Sequence, residues 1–145
     1  MNLLYRDANF IEKVSKRLIR NYESLSGKEY KNDDINSIKE VVQFLKGEVI
    51  YLDIKEKYDI DKMLYLKEND KFVIIIDKSV VNNKLISEEK EIILDMMWKY
   101  LQSYIHFNLY ANTLIYPENS NIDENEIREL LNKNVKKYIK KECKI

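Results

Sequence analysis

The feature that most constrains the fold is a continuous apolar run at residues 72–76, Phe-Val-Ile-Ile-Ile. The run is too short for a stable helix, and its β-branched residues favour a strand. Because no polar residues alternate with the apolar ones, such a strand must be covered on both faces. The run therefore predicts a small sheet with helices packed on it.

Two further segments predict the other strands of this sheet. Residues 48–54 are rich in β-branched and aromatic residues and too short for a helix. Residues 62–66 and 71–77 flank Lys-Glu-Asn-Asp, a polar stretch suited to a hairpin turn. The sheet is accordingly predicted to have three strands.

The spacing of apolar residues predicts about four helices. The first begins near Asp7 and stops at Gly27. The second has Asp33 or Asp34 as its N-cap and Gly47 as its C-cap glycine.

After a predicted loop at residues 78–85, Ser87 is expected to cap a long helix that continues to about residue 107. This helix is apolar over most of its circumference, which is typical of a central helix. After a predicted loop at residues 112–121, Asp123 and Glu126 form a capping-box-like start for a terminal helix. The expected fold class is α+β in the order α-α-β-β-β-α-α. We expect the chain to form a single domain over residues 1–145, with residues 140–145 as a frayed basic tail.

Composition excludes several classes of function. The 25 basic and 25 acidic residues balance, which argues against a nucleic-acid protein with a uniformly basic face. The single cysteine, Cys143, excludes an internal disulfide and a CxxC zinc site, and it fits a cytoplasmic protein. Two isolated glycines cannot form a phosphate-binding loop. No apolar run approaches the roughly 20 residues that span a bilayer, so no membrane association is expected.

The element order and hydrophobic frame of residues 7–107 resemble the ImmA/IrrE-type metallopeptidase domain. In that family the central helix carries His-Glu-x-x-His followed by an aromatic and aliphatic pair. Aligned in this way, the chain reads Asp-Met-Met-Trp-Lys at residues 95–99, followed by Tyr-Leu. The resemblance implies a peptidase-like scaffold on which the zinc motif is not preserved.

The departure from the motif argues against zinc chemistry. Lys99 stands at the second ligand position, Met96 stands at the position of the general base, and Asp95 alone cannot hold a zinc ion. The only histidine, His106, lies roughly 16 Å from Asp95 along a helix axis. The resemblance, without its zinc motif, therefore implies a pseudoenzyme, and we expect no catalytic residue, metal or cofactor. Asp95 and Lys99 are expected to form an i, i+4 ion pair.

The function expected from these observations is non-catalytic binding or regulation of another protein. The resemblance further implies a phage or mobile-element inhibitor of a bacterial defence system, of the anti-CRISPR kind. One alternative is a divergent hydrolase that uses Asp95 or His106. Another is a nucleic-acid accessory protein that binds phosphates through the lysines of its C-terminal helix. These lysines are Lys136, Lys137, Lys140 and Lys141.

Overall fold

The computed structural model describes residues 3–68, 70–106, 113–117 and 120–142, and it describes the side chains of residues 12–68, 70–103, 113–117 and 120–133. Six helices and four strands are present in this part of the chain. The helices are α1 (Leu3–Ser26), α2 (Ile35–Phe44), α3 (Lys55–Tyr58), α4 (Lys78–Asn82), α5 (Ile86–His106) and α6 (Glu124–Glu142). The strands are β1 (Gly47–Leu52), β2 (Lys62–Leu66), β3 (Phe72–Asp77) and β4 (Thr113–Ile115).

The strands form one mixed sheet in the order β1-β3-β2-β4. β1 and β3 are parallel, whereas β2 is antiparallel to both β3 and β4. The α+β class and the β2–β3 hairpin are confirmed. The predicted three strands were one too few, because β4 has only three residues and lies in the stretch expected to be a loop.

Two short helices were also missed, so the predicted four helices were too few. α3 follows β1 directly, and α4 occupies most of the predicted loop at residues 78–85. Asp77 explains why a helix forms in the predicted loop, because its carboxylate accepts a hydrogen bond from the Ser79 N–H at 3.0 Å and caps α4. α5 then begins at Ile86, so Ser87 lies inside the helix and is not its N-cap.

The core lies on both faces of the sheet, as the apolar run at residues 72–76 predicted. Phe72, Ile74 and Ile76 pack with residues of α2 and α5 on one face. Val73 and Ile75 pack on the other face with a second set of buried residues, which includes Ile127 and Leu131 of α6. Every residue of β3 is buried.

The two glycines have different roles. Gly27 has φ +71° and donates its N–H to the Glu23 carbonyl at 3.0 Å, so the predicted stop of the first helix is confirmed. The prediction of Gly47 as a C-cap was wrong, because Lys46 takes the left-handed conformation after α2, with φ +68°. Gly47 is instead the first residue of β1, where a Cβ atom would collide with the Phe72 ring.

The predicted acidic N-caps are confirmed. Asp34 accepts a hydrogen bond from the Asn36 N–H at 3.0 Å at the start of α2. Asp123 accepts one from the Glu126 N–H at 3.3 Å at the start of α6. Over the residues described, no helix is long and apolar enough to cross a membrane.

Candidate functional site

The central helix α5 carries two apolar faces. Ile92, Ile93, Met96 and Tyr100 are buried in the core against the sheet. A second set recurs at the i, i+3, i+4, i+7 spacing of one helix face and lines a cleft with α1 and α2. This second set is Leu94, Met97, Trp98 and Leu101.

We call the space beside this second face the apolar cleft. Its volume is about 370 Å³. Besides the four α5 residues, its apolar lining includes Leu18 and Ile19 from α1, Val41 from α2, and Tyr30 and Leu45. Trp98 remains 36% exposed, so a large aromatic side chain is accessible at this cleft. The spacing of apolar residues in the sequence predicted the helices, but it gave no signal that three of them would leave a cleft between them.

Polar groups also line the apolar cleft. Glu12, Ser15 and Lys16 come from α1, and Asn32 comes from the segment before α2. Lys16 and Glu12 form an ion pair at 3.4 Å, and both side chains are more than half exposed. Apolar side chains therefore occur beside exposed polar groups, as in the apolar centre and polar rim of a protein interface.

A second cleft, the polar cleft, has a volume of about 550 Å³ and contains Asp95. Glu88, Glu91 and Asp95 come from α5, and they are joined by Lys55, Asp61 and Lys62. Asp95 contacts Lys62 at 3.0 Å and Lys99 at 3.6 Å. The predicted Asp95–Lys99 pair is confirmed, whereas the sequence gave no signal for Lys62, which β2 supplies.

The three positions aligned with the zinc motif do not converge. Met96 is buried in the core, whereas Asp95 and Lys99 are each 41% exposed and paired with one another. Among the described side chains, no group of three or more His, Cys, Asp or Glu residues could hold a metal ion. Asp95 is thus held in an ion-pair network with Lys62 and Lys99.

Glu89, a buried acidic side chain of α5, belongs to a polar cluster that joins α2, β1 and α5. It accepts a hydrogen bond from the Tyr51 hydroxyl and pairs with Lys39 at 3.1 Å. Burial raises the pKa of Tyr51, and the bond to Glu89 adds to that rise. Burial alone would lower the pKa of Lys39, but its bonds to Tyr51 and Glu89 raise it. Each group is satisfied by the other two, so the cluster has a structural role.

The remaining predicted site residues lie outside the described side chains. α6 includes the backbone of Lys136, Lys137, Lys140 and Lys141, and α5 ends at His106. Cys143 lies beyond the described residues. The structure therefore brings Asp95 and Lys99 together with Lys62, and the roles expected of the C-terminal lysines and of His106 stay predictions.

Comparisons with known proteins identify no relative. No protein-family model matches the chain, and neither the curated proteins nor the solved structures contain a significant match.

Proposed function

We propose that this chain is a non-catalytic protein-binding or regulatory module and that the apolar cleft receives a helix of its partner. The observation that carries the proposal is the accessible apolar lining of α5 around Trp98. Tryptophan is the residue type most enriched among those that dominate binding energies at protein interfaces.

The dimensions of the lining favour a helical partner. From Leu94 to Leu101 the α5 residues of the cleft extend for roughly 10 Å along the helix axis, which is about two turns. Leu18 and Ile19 of α1 line the same cleft. A groove between helices binds the apolar face of a further helix through anchors spaced at i, i+3, i+4 and i+7. The partner is therefore expected to present an amphipathic helix with two or three apolar anchors.

The finer role is a proposal that rests on the resemblance to ImmA/IrrE-type domains. In that reading the partner is a component of a bacterial defence system, and the chain inhibits it. The nucleic-acid and hydrolase alternatives stay predictions. The polar cleft is lined by four acidic residues and two lysines, which does not favour phosphate binding, and Asp95 is paired there with Lys62 and Lys99.

A capture experiment with matched variants tests the proposal. The tagged chain, a Trp98→Ala variant and an Ile86→Ala variant are each incubated with lysate of the organism that encodes the chain. Ile86 is a suitable control because it is a 56% exposed apolar residue at the other end of the same helix. We expect one stoichiometric partner that the wild-type chain and Ile86→Ala retain and Trp98→Ala loses.

The affinity can then be measured with the purified partner. Isothermal titration calorimetry compares wild type with Trp98→Ala, because the variant has lost the only tryptophan of the chain and cannot be followed by its emission. Truncation of a dominant interface residue weakens binding by at least about 30-fold. Equal affinity of wild type and Trp98→Ala would show that the cleft is not the binding site, and capture of no partner by the wild-type chain would contradict the protein-binding function.

A further inference from the structure

The sheet ends at β1 in the part of the chain that the structure describes. β1 is the first strand in the order β1-β3-β2-β4, and β3 is its single neighbour. Every residue of β3 is buried, whereas Val49, Ile50 and Tyr51 of β1 are only partly buried. An outer strand of this kind exposes a row of backbone donors and acceptors.

The register shows which backbone groups point outward. Gly47 is aligned with Phe72, and the Phe72 N–H donates to the Lys46 carbonyl at 3.4 Å. In a parallel pair of strands, a residue hydrogen-bonds through its N–H and C=O groups to the two residues that flank its partner. The backbone groups of every second residue of β1 therefore point toward β3. The backbone groups of Glu48, Ile50 and Leu52 consequently point toward β3. The backbone groups of Gly47, Val49 and Tyr51 point away from β3. Within the described residues, these outward groups make no hydrogen bond to another backbone group.

The outer edge of β1 has few of the features that normally prevent strand pairing. Such features include charged side chains, above all lysine, as well as proline and bulges. β1 contains no proline and no lysine, and Glu48 is its single charged residue. Its outward backbone groups therefore match another extended strand.

We infer that β1 pairs antiparallel with β1 of a second copy of this chain, across a two-fold axis at Val49. In this register Val49 lies opposite Val49 of the second copy, and Tyr51 lies opposite Gly47 of the second copy. These are the residues whose backbone groups point outward on both strands, so each opposed pair exchanges two hydrogen bonds.

The side chains are compatible with this register. Gly47 has no side chain, so none obstructs the approach of Tyr51 of the second copy in this register. Glu48 lies opposite Ile50 of the second copy, so no like charges face each other. The result is a two-fold symmetric dimer. The four-stranded sheets of the two copies join through their β1 strands into one continuous sheet. This surface is separate from the apolar lining of α5, so the inference does not depend on the proposed function.

Two charge variants at the axis test the inference. Val49→Lys places two ammonium groups opposite each other at the centre of the interface, and Val49→Glu places two carboxylates there. Sedimentation equilibrium from about 1 μM to about 100 μM, a range that includes weak homodimers, measures the mass. We expect a dimer for the wild-type chain, a monomer for each variant alone, and a mixed dimer when the two variants are combined.

Folding of each variant is checked by circular dichroism and by thermal melting. Val49→Pro supplies an independent test, because it removes an outward N–H and leaves the bonds to β3 in place. It should be monomeric and folded, whereas Ile50→Pro removes an N–H that faces β3 and should lose stability. A monomeric wild-type chain, a variant that still dimerises alone, or a mixture of the two charge variants that stays monomeric would each overturn the inference.

Discussion

Asp77 illustrates how a single side chain joins three segments of this fold. Its Oδ1 atom accepts hydrogen bonds from the N–H groups of Ile54 and Lys55, both at 3.0 Å. Its Oδ2 atom accepts from the N–H and the hydroxyl of Ser79. The carboxylate therefore fixes the end of β3, the entry to α3 and the start of α4 at one point. This arrangement accounts for a buried charge without any catalytic role.

Substitution of Asp77 is expected to destabilise the chain in a pH-dependent manner. Burial alone would raise the pKa of Asp77, but the bonds from Ser79, Lys55 and Ile54 outweigh burial and lower the pKa from 3.8. The carboxylate thus contributes its full stability above pH 3.8, and the contribution is lost as pH falls through the lowered pKa. Asp77→Ala leaves buried N–H donors without an acceptor, which costs about 3 kcal/mol at neutral pH.

Urea denaturation of wild type and Asp77→Ala at a series of pH values measures this effect. The difference between their free energies of unfolding should shrink below pH 3.8. A matched control is Asp53→Ala, since Asp53 is exposed and pairs with Lys78 at 3.6 Å; its effect should be small at every pH. A difference that stays constant down to the lowest pH would contradict the role of the ionised carboxylate.

Among the elements, α6 is tied to α3 by Glu126. Its carboxylate accepts hydrogen bonds from the Tyr58 hydroxyl at 2.8 Å and from the Lys57 ammonium. Burial raises the pKa of Tyr58 to about 12, and the bond to Glu126 contributes to that rise. The neutral hydroxyl is therefore the form that the folded chain stabilises. The contact holds the first turn of α6 beside a helix of only four residues.

Tyr58→Phe should change stability in a predictable pH range. Since the pKa is raised on folding, the stability from Tyr58 is complete below pH 10 and is lost as pH rises toward about 12. The variant should lose about 1 kcal/mol at neutral pH, and its stability should fall less steeply than that of wild type between those values. Lys57→Met is the control, because it removes the other contact of Glu126 and keeps the tyrosine proton. Parallel profiles for wild type and Tyr58→Phe above pH 10 would refute this role.

The elements also differ in how far the sequence could predict them. Asp34 and Asp123 act within their own helix turns, so local patterns identified both N-caps. Asp77 was recognised only as the end of a strand, because its bonds to Ile54 and Lys55 depend on the parallel pairing of β1 and β3. β4 and α3 are too short to have a periodic signal. The apolar cleft could not be predicted, since it depends on how α1, α2 and α5 pack together.

For the molecule as a whole, the balance of 25 basic and 25 acidic residues predicts weak long-range electrostatics. If the partner binds at the apolar cleft, its dissociation constant should change by less than about threefold between roughly 50 and 200 mM salt. Binding through Lys136, Lys137, Lys140 and Lys141 to phosphates would instead weaken by orders of magnitude over the same range. Isothermal titration calorimetry with the purified partner at both salt concentrations distinguishes the two modes.

The mixed sheet has a kinetic consequence. The β2–β3 hairpin closes through residues 67–71 alone, whereas each β1 residue pairs with a β3 residue that is 25 positions later. Short loops close at a lower entropic cost than long ones, and non-local pairings form more slowly. We expect the hairpin to form first and β1 to dock afterwards. A chain halted between these steps exposes the edge of β3, where unpaired backbone groups lie beside apolar side chains. The interval before β1 docks is therefore when this protein is most prone to aggregate.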